Sequence, residues 1–362
     1  AGQTLALAGT GTFSVSGGTT GTITSTGSGQ LTVTSSANAQ TVTSASATTV
    51  NATSLNTALT IGTGSTGNFT VTGLGNATNS SITETGTPSG TLTVTTAGNN
   101  PNAILEAGGT GAVIINVVGA GLTTLTGLSA HTSHTATMGA GTSLTVDPAS
   151  TALSYGVTMT GNSTHAYVGD TNTSAVDTID ASAATGTTAI TGGSGNDIIK
   201  LGAATDTVIF TAAASNGADT INSFTVGLNN DVLKVTALAT LIGTGGTGGI
   251  AATNSIYVGA VSTAKGDTAV SKVVVIGAAD NAAADWSTVV AKIGGALTVT
   301  ADGTAANAAT TVLISNGTDV RVYLFSDDGT SNATVETGEL TLVGTVTAIT
   351  AANLVESNFS IA

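Results

Sequence analysis

Residues 191–210 read TGGSGNDIIKLGAATDTVIF. Cut into nines, the stretch becomes GGSGNDIIK (192–200) and LGAATDTVI (201–209), preceded by AATGTTAIT (183–191). The eighth position of each nine is apolar: Ile190, Ile199 and Val208. The sixth position holds Thr188, Asp197 and Asp206. Small or glycine residues that permit a tight turn are therefore followed by a polar residue and a short β-branched run. A turn and a strand in every nine residues predict stacked coils, two nines to a coil, with successive turns on opposite edges.

The same texture extends towards the N-terminus. GTFSVSG (11–17), GTITSTG (21–27), QLTVTSS (30–36), NFTVTG (68–73), TLTVTT (91–96), AVIINVVG (112–119) and TSLTVD (142–147) alternate apolar and hydroxyl residues. Period two marks strands with one buried face, and Gly, Asn or Ser punctuates them. The bulk composition agrees. Only 7% of the 362 residues are charged, 3% are aromatic, and there are 49 glycines and no cysteine. An ordinary domain carries about 25% charged residues. With so few aromatic residues, the interior must be filled by Val, Ile, Leu, Ala and Thr. A narrow solenoid interior suits that set, with coils of roughly 20 residues stacked about 4.8 Å apart. The fold expected is all-β, a β-solenoid or β-roll of stacked short strands. A β-sandwich array is the alternative for residues 1–150.

The turns also carry chemistry. GGSGNDIIK fills every specified place of the repeat G-G-x-G-x-D-x-U-x, where U is apolar. Gly193 and Gly195 allow the turn and expose carbonyl oxygens. Asn196 and Asp197 add side-chain oxygens. Ca²⁺ takes roughly six to eight oxygen ligands, which stacked turns can supply. Because successive turns fall on opposite edges, Asp197 and Asp206 are expected not to share an ion. Asp197 is expected to meet the turn one coil earlier, near Asp177 and Asp180, and the turn after it, near Asp219. Asp206 faces Thr188 on its own edge. Asp170, and Asp327 with Asp328 in SDDGT (326–330), are further calcium candidates.

These residues resemble bacterial RTX proteins exported by type I secretion. DTIDASAATG (177–186) is similar to the approach to their β-roll, and ADTINSFTVGLNNDVLKV (218–235) to the strand that closes it. ELTLVGTVTAITAANLVESNF (339–359) resembles their uncleaved C-terminal end. The Thr/Ala/Gly-rich, Cys-free and Lys-poor composition resembles the S-layer and surface-array members. The resemblance implies export without an N-terminal leader, an extracellular cell-surface location, and folding outside the cell on Ca²⁺. The sequence carries one complete repeat and two degenerate ones, which implies a short calcium-stapled junction instead of a long roll.

Three regions follow: a Thr/Gly-rich solenoid (1–150), an RTX-like calcium-binding segment (151–235) and a β-rich closing domain (236–362). In the last, KVVVIG (272–277), TTVLISN (310–316), DVRVYLFSDD (319–328) and ELTLVG (339–344) read as strands. NAAADWSTVVAKIGG (281–295) reads as one short helix, with Trp286 packing it on those strands.

Several function classes lose their basis. Net charge is −14, and no lysine or arginine precedes Lys200. Nucleic acid and anionic membrane surfaces are therefore unsuitable partners. No apolar run is long enough for a membrane-spanning helix. GTGSTG (62–67) and GTGGTG (243–248) match a dinucleotide fingerprint but lack the following helix it needs. HTSH (131–134) has no third metal ligand nearby, and Asp147, Asp170 and Asp177 lack the aromatic platforms of a sugar-cleaving site. No enzyme activity is expected. Paired threonines, Thr22/Thr24, Thr32/Thr34, Thr41/Thr43, Thr70/Thr72 and Thr93/Thr95, could form an outward ladder of the ice-binding kind. Their drifting spacing is expected to spoil a lattice match. The function expected is a secreted structural protein that self-assembles into a surface layer, sheath or filament on Ca²⁺. Its partners are copies of itself, with cell-surface polysaccharide a further candidate. An RTX adhesin fragment or an ice-binding module is the alternative.

Overall fold

The structure, a computed structural model, describes residues 3–16, 21–34, 40–52, 58–74, 80–98, 102–106, 109–127, 133–139, 142–146, 154–162, 164–211, 216–227, 230–235, 256–260, 273–277, 309–315, 318–326, 337–349 and 353–360. The chain divides into two compact units, Ala1–Thr188 and Ala189–Ala362.

Among the described residues, the first unit is a run of short strands. They begin with β1 (Gln3–Leu7), β2 (Phe13–Ser16), β3 (Gly21–Ser25), β4 (Leu31–Thr34), β5 (Gln40–Ser44) and β6 (Thr48–Asn51). They continue with β7 (Ala58–Ile61), β8 (Phe69–Leu74), β9 (Ser80–Glu84), β10 (Leu92–Thr96), β11 (Asn102–Glu106) and β12 (Ala112–Val117). The last are β13 (Leu122–Gly127), β14 (Ser133–Met138), β15 (Ser143–Val146), β16 (Tyr155–Gly161), β17 (His165–Val168) and β18 (Thr178–Ala184). Odd strands pair with odd and even with even, in chain order and always parallel. Each coil thus adds one strand to each of two sheets, and the unit is a β-solenoid. The coil pattern continues beyond β15, since β16 pairs with β14 and β17 with β15.

Alternation places one face of each strand inside. Val33, Val50, Val71 and Val94 stand in register on successive even strands, each fully buried. Ile115, Ala136, Val157 and Ile179 continue that column. Like stacks on like because β-branched side chains fit the pleat and one another. Each buried valine is worth about 1.5–3 kcal/mol. Register partners lie 17 residues apart from Leu31 to Thr48 and 23 apart from Phe69 to Leu92. Register is nevertheless kept, so the connections absorb the difference.

The drifting spacing does not scatter the outward residues along one sheet, although the paired threonines divide between two sheets, with Thr22/Thr24 on β3 and Thr41/Thr43 on β5. Ser14, Thr32, Thr49, Thr70 and Thr93 form one outward column, and Ser16, Thr34, Asn51, Thr72 and Thr95 the next. Sequence spacing counts the turns, whereas the lattice depends only on the strands.

The corners impose a harder limit. Gly67, Gly90 and Gly111 stack over one another. A Cβ on each would overlap the carbonyl oxygen of the coil before it, from Ser46, Gly67 and Gly90 respectively. GTGSTG (62–67) is one of these turns; it joins β7 to β8, so strand and not helix follows it.

β19 (Thr188–Thr191) starts on the last residue of the first unit, and the second unit continues with β20 (Ile198–Lys200), β21 (Thr207–Ile209), β22 (Asp219–Asn222) and β23 (Val232–Lys234). Then come β24 (Ile256–Ala260), β25 (Val273–Gly277), β26 (Ala309–Ser315), β27 (Val320–Ser326), β28 (Leu340–Val346) and β29 (Phe359–Ser360). One sheet runs β19-β21-β23-β29 and the other β20-β22-β28-β27-β26-β25-β24. The C-terminal segment returns to the coils: β28 pairs in parallel with β22, and β29 with β23. Buried Asn358 fixes that return, donating to Asp231 O at 2.8 Å and accepting from Gly227 N at 3.1 Å. β26, β27 and β28 form an antiparallel meander. Helical structure among the described residues is limited to short 3₁₀ turns such as 337–339 and 356–358. The expected helix 281–295, Trp286, GTGGTG (243–248), Asp327 and Asp328 lie outside the described residues.

Gly90→Ala should destabilise the protein by about 1–3 kcal/mol, because the added methyl overpacks a stacked corner. Gly11→Ala, whose Cβ meets nothing within 4 Å, should leave stability nearly unchanged. Thermal denaturation of the two variants checks the pair, and equal losses would refute the stacking argument.

Candidate metal centre

Five aspartates occupy one local position. Asp177, Asp197, Asp206 and Asp231 each immediately precede a strand (β18, β20, β21 and β23), and Asp219 opens β22. All five are buried, none more than 2% exposed. Their carboxylates close gaps in the backbone ladder between coils. The Asp197 N–H donates to Asp219 Oδ1 across 3.1 Å, and the Asp206 N–H to Asp231 Oδ1 across 2.8 Å. In the first unit the Tyr155 N–H donates to Asp177 Oδ1 across 2.8 Å. In Asp219, Asp231 and Asp177 the second oxygen is also engaged. Asp219 Oδ2 accepts from Asn216 Nδ2 at 3.2 Å, Asp231 Oδ2 from Thr225 N at 2.7 Å, and Asp177 Oδ2 from the Tyr167 hydroxyl at 2.7 Å. A strand N–H facing a turn has no ladder partner, and a carboxylate supplies one through a charge-assisted bond.

The complete repeat folds as its glycines require. Gly193 and Gly195 have φ of 97° and 118°, in the region that favours glycine. A Cβ on Gly192 would come within 2.5 Å of Asp197 Oδ2, so the carboxylate lies back over its own turn. A Cβ on Gly217 would overlap the Gly195 carbonyl, which places the next turn directly on this one. Asn196 Oδ1 accepts the Ala218 N–H at 2.9 Å and ties the same two turns. On the other edge Asp206 Oδ2 accepts the Gly202 N–H at 2.9 Å.

Asp197 and Asp219 are brought together, as the coil reading expected, and Asp197 and Asp206 precede strands of different sheets. Asp177 and Asp180 belong to the first unit. Asp180 sits within β18 and not in a turn; its Oδ1 accepts from Ser182 N at 2.9 Å and from the Ser182 hydroxyl. Asp231 was missed, although its signal is plain: DVLK (231–234) repeats DIIK (197–200). His134, from HTSH, is buried in β14 with its ring 4.8 Å from that of Tyr155. His165 lies in β17, its Nδ1 3.2 Å from the Thr142 hydroxyl. His131 and Asp147 are outside the described residues.

The donor set around Asp197 fits a hard cation. It offers the carboxylates of Asp197 and Asp219, the amide oxygen of Asn196 and glycine-turn carbonyls, all oxygen. Among the described residues no three His, Asp or Glu side chains converge as a ready-made cage. Backbone carbonyls and water would therefore have to complete the shell. Comparison with protein-family models, curated proteins and solved structures gives no match to this chain.

Burial raises the pKa of Asp231 to about 6; accepted hydrogen bonds from Thr225 and Asp206 oppose the rise, and the Asp206 charge adds to it. Burial likewise raises Asp177 to about 6, against the pull of Tyr167 and the Tyr155 N–H. An unfolded aspartate titrates near 3.8, so the folded state holds protons that the unfolded state gives up. The contribution to stability is complete below about pH 4 and is lost as pH rises through about 6. In chelator, stability should fall across that window by on the order of 1–3 kcal/mol for each group, read as a falling melting temperature. Asp177→Asn and Asp231→Asn should each flatten the fall. A profile that rises between pH 4 and 6 and is insensitive to both variants would contradict the assignment.

Proposed function

We propose that the chain is a secreted structural protein of the bacterial surface, assembling with copies of itself into a layer, sheath or filament on Ca²⁺. The observation that carries the reading is the first unit. It stacks coil on coil with hydroxyl and amide columns outside and contains no lysine or arginine. Such faces pack against copies of themselves without burying unpaired charges. The net charge of −14 opposes association, and a bridging divalent cation offsets it. In this reading Asp197, Asn196, Asp219 and the carbonyls of the Gly193–Gly195 turn hold one ion, with Asp206 beside Asp231 as a second acidic turn. Export by type I secretion follows from the RTX resemblance, and folding outside the cell would then couple to calcium. Cell-surface polysaccharide is the partner proposed for anchoring.

A second reading has its own observation. The in-register outward columns of β4, β6, β8 and β10, threonine at every place but Asn51, form a hydroxyl-rich array of the kind that can order water into an ice-like lattice. Thermal hysteresis at micromolar protein would support it.

Negative-stain microscopy of the full chain, in millimolar calcium and after chelation, tests the leading reading. Sheets or filaments should form with calcium and disperse in chelator, and Asp197→Asn should raise the calcium needed. Monodisperse particles under both conditions would overturn the assembly role and leave the threonine face to be examined.

A further inference from the structure

The connection between β17 and β18 reads GDTNTSAVD (169–177). Asp170 and Asp177 are each 1% exposed. Asp170 Oδ1 accepts the Asn172 N–H at 2.8 Å, Asn172 Oδ1 accepts the Ser174 N–H at 2.9 Å, and the Asn172 carbonyl accepts the Ala175 N–H at 3.2 Å. Asp170 Oδ2 is buried and accepts no hydrogen bond. A buried carboxylate oxygen without a donor is strongly disfavoured.

The two carboxylates are close enough for the Asp170 charge to raise the Asp177 pKa, while burial raises both. The usual remedy is a lysine or arginine, but the first 199 residues contain neither. His134 acts on Asp177 in the opposite sense, and its ring packs on Tyr155. One imidazole cannot balance two carboxylates. Asp177 keeps acceptor capacity beyond its bonds from Tyr155 N and the Tyr167 hydroxyl, since each carboxylate oxygen has two lone pairs.

We propose that the 170–177 loop binds a calcium-type divalent cation between Asp170 and Asp177, with loop oxygens from Asn172 and Ser174 completing the donors. The donors assigned to the ion are all oxygen, and the loop is irregular, which suits the variable coordination of Ca²⁺ better than the strict octahedron of Mg²⁺. This site belongs to the first unit, uses none of the residues proposed to hold the ion at Asp197, and does not depend on assembly.

Calorimetric titration of the full chain with Ca²⁺, alongside tyrosine-sensitised Tb³⁺ luminescence, tests it. Tyr155 and Tyr167 both contact Asp177 and would serve as antennae. Asp170→Asn should bind one ion fewer and reduce sensitised emission at least threefold, whereas Asp197→Asn should keep that emission. In chelator Asp170→Asn should melt at or above the wild-type temperature, because a buried charge is gone. In calcium it should melt below wild type. Asn172→Ala should weaken the same site about tenfold if Asp170→Asn folds poorly. Unchanged stoichiometry and emission, or an equal loss of melting temperature with and without calcium, would overturn the site. Either result is independent of whether microscopy finds an assembly.

Discussion

The first unit depends on direct stacking of one coil on the next at the spacing of a parallel β ladder, about 4.8 Å. That distance leaves no room for a side chain between backbones at the corners. Hence Gly67, Gly90 and Gly111 follow one another where any Cβ would strike the carbonyl of the preceding coil. The same spacing aligns Val33, Val50, Val71 and Val94 inside and the threonines outside. A residue is therefore chosen against its neighbours one coil away more than against its neighbours in sequence.

Stacking also leaves strand N–H groups facing the connections, and the aspartates answer this. Asp177, Asp219 and Asp231 each accept a backbone N–H from one coil away. In a chain with so little charge, these acids are structural acceptors first. The same geometry gathers oxygen donors, so the cation proposed for these turns would share its carboxylates with the backbone. The raised pKa values of Asp177 and Asp231 reflect that position: burial opposes ionisation, and hydrogen bonds recover only part of the cost.

Much of this was legible before any coordinates. Alternation in QLTVTSS and TLTVTT marks strands because a pleated backbone sends successive side chains to opposite faces. GGSGND marks the turn, and Asp197 was correctly placed beside Asp219 because their spacing is one coil. Other features escaped. Asp231 carries the same Asp-before-strand pattern as Asp197 but lacks the glycine-rich approach. The significance of Asp170 rests on burial and an unanswered oxygen, neither of which a sequence displays.

The sequence by itself determined an all-β chain of stacked short strands with acids at the turns, because side-chain period and turn chemistry are local properties. Only the tertiary structure decided which residues share a column, since register depends on how each connection absorbs its length. It alone returned β28 and β29 to β22 and β23, pairings that join residues more than 120 positions apart. It alone showed Asp177 held by Tyr155 and Tyr167 from neighbouring strands. Contacts of that kind arise from packing, where burial and the available partners set the energy of each group.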